Sequence, residues 1–203
     1  MPYRLARFIS ILFHPVLMPT YSLVLLFGLS GYFSFITSSS VKEAVFAIVI
    51  FNTLVMPLFI SWLLYRRGLI KSLEMDDRQE RILPFLFTAV LIMLAYYMLL
   101  KLGLPRIFYV LLLGAAGSVV LAVLITLKWK ISIHMIGIGG ITGMFFALST
   151  LFMLDFRIPV LISLIVAGII GVARLSISSH QQMQIYAGFF VGFLCEYLVL
   201  QSI

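Results

Sequence analysis

With one cysteine and seven acidic side chains in 203 residues, the chain lacks the parts for several common functions. Cys195 stands alone, so neither an internal disulfide nor a CxxC metal site can form. Four acids, Glu74, Asp76, Asp77 and Glu80, fall in one short stretch, whereas Glu43, Asp155 and Glu196 are isolated. Charge is scarce altogether: 10% of residues are charged and 63% hydrophobic, against roughly a quarter and a half in a soluble domain. That balance excludes a soluble fold, and no nucleic-acid partner is expected.

What is present is apolar sequence in long runs. Seven segments, roughly 8–33, 44–65, 83–100, 107–127, 134–154, 158–173 and 185–201, have about the length needed to cross a ~30 Å hydrocarbon core. The expected fold is an all-α polytopic transmembrane bundle of six to seven spans, forming a single integral membrane domain over residues 1–203 with one interfacial site. The start, "MPYRLARFISILF", has the basic and apolar regions of a signal peptide. Pro15 and Pro19 stand where a small-residue cleavage site would be expected, so this segment reads as a retained first helix. The expected location is an integral position in a bacterial inner (cytoplasmic) membrane. The net charge of +7 suits an anionic lipid surface or an anionic substrate.

Small residues recur four apart at Gly114/Ser118, Gly139/Gly143, Ala167/Gly171 and Gly188/Gly192. In lipid such pairs let helix backbones approach closely, and tight packing within one bundle is preferred here over a homodimer seam.

Seven spans sort the loops into two sets. The N-terminus and the connections 66–82, 128–133 and 174–184 share one side, which carries ten of the 14 Lys and Arg: Arg4, Arg7, Arg66, Arg67, Lys71, Arg78, Arg81, Lys128, Lys130 and Arg174. The other side has Lys42, Lys101, Arg106 and Arg157. His134 and His180 also belong to the first side, so Arg78, Arg81, Lys130, His134, Arg174 and His180 can surround one pocket at a membrane boundary. Ionisable groups at membrane depth are costly and usually functional; the alternative for each single Arg is a headgroup anchor at a helix end. His14, before Pro15 and with no polar neighbour, reads as a helix-start or packing residue.

Fixed cations and an imidazole pair without a carboxylate cluster suit phosphoryl chemistry that uses no metal. Arg gives bidentate donors to phosphate oxygens, a neutral imidazole can attack phosphorus, and a protonated one can give its proton to the leaving alcohol.

On these motifs the chain resembles the type 2 phosphatidic acid phosphatase superfamily of integral membrane lipid phosphatases, marked by K-x6-R-P, P-S-G-H and S-R-x5-H-x3-D. The stretch "ARLSISSHQQMQ" is similar to the third motif, with Arg174, His180 and Gln184 at its spacing, and "IYAG" follows as the helix start. "ISIH" puts Ser132 and His134 at the serine and histidine positions of the second. Lys71 and Arg78 fit K-x6-R, with "RILP" from Arg81 to Pro84 as a shifted variant. The resemblance covers about 66–192 as a phosphatase-like core. It implies His180 as nucleophile, His134 as the acid, and Arg174 with one or more of Lys71, Arg78 and Arg81 on the phosphate, assisted by Ser132. It also implies no cofactor and no metal. The implied substrate is a lipid phosphate: phosphatidate, phosphatidylglycerophosphate or an isoprenoid phosphate or diphosphate.

The chain departs from the motifs at Ala173, Ile131, Ile133 and Gln79, and carries Gln184 where an aspartate orients the nucleophile. A Gln oxygen can accept the imidazole N–H but brings no charge. Slow catalysis, a substitute carboxylate among Glu74, Asp76, Asp77 and Glu80, or a lipid-phosphate binder or translocator without turnover are the three outcomes. "EMDDRQER" is similar to one half of the Mg²⁺-diphosphate site of intramembrane prenyltransferases, but a second acidic motif is missing. Side one is cytoplasmic by its basic excess, while many bacterial relatives of the superfamily face outward.

Overall fold

The computed structural model describes residues 1–29, 31–75, 77–153, 155–177 and 180–202. Among them the chain forms ten α-helices and no strand. These are α1 (Tyr3–Leu12), α2 (Met18–Leu29), α3 (Gly31–Phe35), α4 (Ser39–Ile50), α5 (Met56–Arg66), α6 (Ile82–Lys101), α7 (Arg106–Thr126), α8 (Ile133–Phe152), α9 (Arg157–Ser176) and α10 (Gln182–Gln201). Seven helical stretches among the described residues are long and apolar enough to cross a bilayer: Tyr3–Gly28, Ser39–Arg66, and α6 to α10. The protein is therefore an integral membrane protein with an all-α polytopic bundle.

Prolines shape the first two spans. The residue before a proline is pushed out of the helical region, and His14 is extended at φ −65°, ψ 138°. The first span, expected as one run from residue 8, instead starts at Tyr3 and breaks at Phe13–His14; a 3-10 turn, Pro15–Leu17, leads into α2. In the second span α4 and α5 are joined by a π-helical turn, Phe51–Val55, immediately ahead of Pro57. A proline inside a helix clashes with the carbonyl four residues back, which here belongs to Thr53; the wider turn at 51–55 coincides with that conflict.

Helix α8 lies deepest. Met144, Ala147, Leu148 and Thr142 are all fully buried, and α8 packs against α10 most closely, with α9, α7 and α2 also in contact. The glycines of that seam face backbone: a Cβ on Gly139 or Gly143 would meet the Phe189 or Phe193 backbone, and one on Gly192 would meet Ile136 and Gly140. The small-residue pairs of α8 and α10 thus serve packing within the bundle, where close backbone approach supplies the attraction that hydrophobicity cannot supply in lipid. Large apolar side chains such as Val90, Leu161, Ile165 and Leu198 stay exposed on the outer faces, where hydrocarbon is their natural solvent. Helix α1, with Arg4 and Arg7 exposed and Ala6, Ile9 and Ser10 buried, packs along α9.

Candidate active site

Two backbone contacts bring the second and third polar segments together. The N–H of Ser132, which precedes α8, donates to the Gln184 carbonyl in the first turn of α10 at 3.3 Å. One turn further along, Gly188 leaves room for the Ser132 carbonyl, which a Cβ there would approach to 2.5 Å. His134 and His180 are thereby held at the same end of the bundle, and both line one cavity of about 610 Å³ together with Arg81 and Arg174.

His180 is buried at 7% exposure. Its Nδ1 lies 3.0 Å from Gln184 Oε1, and the same oxygen accepts the Gln181 backbone N–H at 3.2 Å. A backbone N–H only donates, so the atom it meets must be the amide oxygen. An amide oxygen only accepts, so Nδ1 carries the proton and Nε2 carries the lone pair. Nε2 is buried and has no hydrogen-bond partner among the described residues. This is the tautomer that a nitrogen nucleophile at Nε2 requires. Burial pushes the imidazole down from its ordinary 6.5 to about 3; the Gln184 hydrogen bond opposes this, while the positive charges of Arg174, Arg81 and Lys130 add to it.

His134 is also buried, and its Nε2 meets the Ser10 carbonyl at 3.0 Å. Because a carbonyl accepts, Nε2 holds the proton and Nδ1, which has no partner among the described residues, holds the lone pair. Ser10 serves twice, since its hydroxyl receives Arg174 Nη1 at 3.3 Å and itself donates to the Ala6 carbonyl at 2.9 Å. His14 packs edge-on against His134 with ring centroids 5.6 Å apart and lines the same cavity. It is a helix-start residue, as the sequence suggested, and it is also a third imidazole of the site. Ser10 and His14 are not recognisable as site residues in the sequence: Ser10 lies on α1, and His14 lies beyond the end of that helix, where the chain is extended.

The first polar segment contributes less than its motif offered. Arg81 is 6% exposed, lines the cavity and donates from Nε to the Met75 carbonyl at 2.7 Å. Lys71 and Arg78 do not line the cavity: Lys71 is exposed, and Arg78 donates to the Leu127 carbonyl at 3.0 Å, fastening the loop to the end of α7. The shifted segment at Arg81, not the K-x6-R pair, is therefore what reaches the cavity. Lys130 is half-buried outside the lining and acts on His180 through its charge. Ser132 is fully buried, and its hydroxyl has no hydrogen-bond partner among the described residues.

Among the described residues no carboxylate bonds to His180. Glu74 lies at the cavity but pairs with Arg7 at 3.4 Å, and Asp77 accepts the Gln79 backbone N–H. Asp76 lies outside the described residues, as do Ser178 and Ser179 of the third motif. Gln184 is then the group that orients His180. Gln184→Leu strands one buried donor, His180 Nδ1–H, at a cost of about 1–3 kcal/mol, and also releases the half-buried Gln181 N–H. A drop in unfolding midpoint in detergent, absent in Gln184→Glu, is the expected result.

Comparison with protein-family models, with curated proteins and with solved structures gives no match.

Proposed function

We propose that the protein is a metal-independent membrane lipid phosphatase that acts on a lipid phosphate through a phosphohistidine at His180. The observation that carries this reading is the orientation of His180: Nδ1–H is fixed on Gln184, and Nε2 is left with its lone pair in a cavity shared with Arg174, Arg81 and His134. Arg174 and Arg81 supply donors for the phosphate oxygens. Nε2 attacks phosphorus, and the bond from phosphorus to the lipid oxygen breaks. The dianionic phosphate favours a charged imidazole beside it, so His134 arrives at this step protonated on Nδ1 and transfers that proton to the departing lipid alkoxide. Water then attacks the phosphohistidine with His134 Nδ1 accepting its proton, which releases inorganic phosphate and restores His180. His14, edge-on to His134, fixes that ring. Phosphatidate, phosphatidylglycerophosphate and isoprenoid phosphates all present such a head, and a bacterial inner membrane is the proposed setting.

A second reading is a lipid-phosphate binder without turnover. It is favoured by the neutral carboxamide of Gln184, which cannot stabilise a phosphorylated imidazole by charge. Purified protein with EDTA present separates the two. Phosphate release from phosphatidate or an isoprenoid phosphate supports the enzyme, whereas lipid binding with no release supports the binder.

The pH dependence has a definite sign. His180 takes up its proton near pH 3 when folded and near 6.5 when unfolded, so between those values the unfolded chain binds more protons. The contribution to stability is full above pH 6.5 and is lost as pH falls toward 3. Unfolding followed from pH 8 to pH 4 should give a declining midpoint, and the decline should be shallower in His180→Asn; equal slopes would contradict the assignment.

A further inference from the structure

The cavity does not end at the phosphate residues. It continues between α6, α7, α8 and α10 past Phe85, Ile92, Leu112, Ala115 and Val119, and reaches Glu196 and Thr53. Glu196 stands 14 positions into α10, whereas Thr53 lies in the turn Phe51–Val55, which packs against Pro15–Leu17 just after His14. At 1.5 Å per residue Glu196 lies roughly 20 Å from the boundary that holds His180. That depth is past the middle of a ~30 Å core.

Both residues are in an unusual state for the wall of an intramembrane cavity. Glu196 is 5% exposed and Thr53 1% exposed, and Glu196 Oε1 and Thr53 Oγ1 have no hydrogen-bond partner among the described residues. Among the described residues no cation pairs with Glu196, and no group of three His, Cys, Asp or Glu forms around it. A single carboxyl is too few oxygens to cage a cation, which takes six or more if it is calcium and an octahedron if magnesium. The carboxyl is nonetheless accommodated by design of the neighbouring helix: Gly114 of α7 leaves the space that a Cβ would close to 2.5 Å from Glu196 Oε2. Thr53 lies in the π-helical turn, a distortion that recurs at functional positions. Buried polar groups without partners are rare and intramembrane ionisable residues are mostly functional.

We propose that Glu196 forms a second, hydrogen-bonding site at the inner end of the cavity, which takes a hydroxyl carried far along the tail of the phosphorylated amphiphile, with Thr53 a further hydroxyl on the cavity wall. The inference rests on the phosphate reading above for the position of the head. The apolar wall between the two sites accepts methylenes, and Glu196 distinguishes a hydroxylated tail from a plain one. The ligand is thus an amphiphile that is polar at both ends, held with its phosphate at Arg174 and His180.

Three probes test this on the full chain in detergent: a long alkyl phosphate ending in methyl, the same phosphate ending in hydroxyl, and the matching long-chain diol with no phosphate. Wild type should bind the hydroxyl-ended phosphate about tenfold more tightly than the methyl-ended one, the size of one hydrogen bond to a buried polar group. In Glu196→Leu, and in Glu196→Ala should the first variant fail to fold, the ratio should fall to about one. Equal affinities in wild type, with both phosphates bound, overturn the inner site and leave the phosphate reading standing. Binding of the diol that is lost in the variants, with no gain from a phosphate, overturns the phosphate reading and leaves the inner site standing. Binding of none of the three overturns both.

Discussion

His180→Ala is expected to lower phosphate release by at least about 10³-fold, because in the proposed mechanism the step removed is bond formation to phosphorus. His134 shares the cavity, but its lone pair is on Nδ1 with Nε2 tied to the Ser10 carbonyl, and the proposed mechanism uses it for the leaving group. The variant should elute in detergent as the wild type does, since the ring is held by one hydrogen bond to Gln184 and its loss leaves the Gln181 N–H to Gln184 contact in place. Measurement of released phosphate from phosphatidate with EDTA present checks this. Full activity in His180→Ala would remove the nucleophile assignment altogether.

Gly192→Leu prevents folding, and even Gly192→Ala destabilises by about 1–3 kcal/mol or more, the range for overpacking a close contact. The atoms a Cβ would meet are the Ile136 carbonyl group and the Gly140 nitrogen. These are backbone atoms of α8 and cannot rotate away as a side chain can. Since α8 and α10 carry His134 and the supports of His180, parting them also opens the site. The same change at Gly168 of α9 meets nothing within 4 Å, and Gly168→Ala should be neutral or stabilise by about 0.5–1 kcal/mol through helix propensity. Denaturant or thermal unfolding of both variants in one detergent gives the comparison. Equal stability of Gly192→Ala and Gly168→Ala would contradict the packing described.

The spans and the same-end clustering of His134, Arg174 and His180 were legible because hydrophobic length and loop parity are additive along the chain. The Gln184 role was legible too, since four-residue spacing puts its oxygen beside an imidazole one turn earlier. What was not legible depends on contacts between segments far apart in sequence. Ser10 meets Arg174 and His134 only because α1 docks on α9, and no local pattern in "RFISILFHP" announces that docking. Lys71 and Arg78 had the right spacing but the wrong neighbours: the end of α7 captures Arg78. Glu196 looked isolated in sequence, and the cavity alone relates it to the mouth of the site. Pro15 signals the break at His14, but the length of the apolar run favours one continuous span.

The central claim is that a phosphoryl group is transferred to one particular nitrogen. Protein mixed with phosphatidate labelled in its phosphate, stopped in alkali to preserve phosphohistidine, and mapped by mass spectrometry tests it directly. The account expects label on His180, absent from His180→Ala and depleted by excess unlabelled lipid. Phosphate release with label on another residue, or with no labelled protein at any time point, would contradict it.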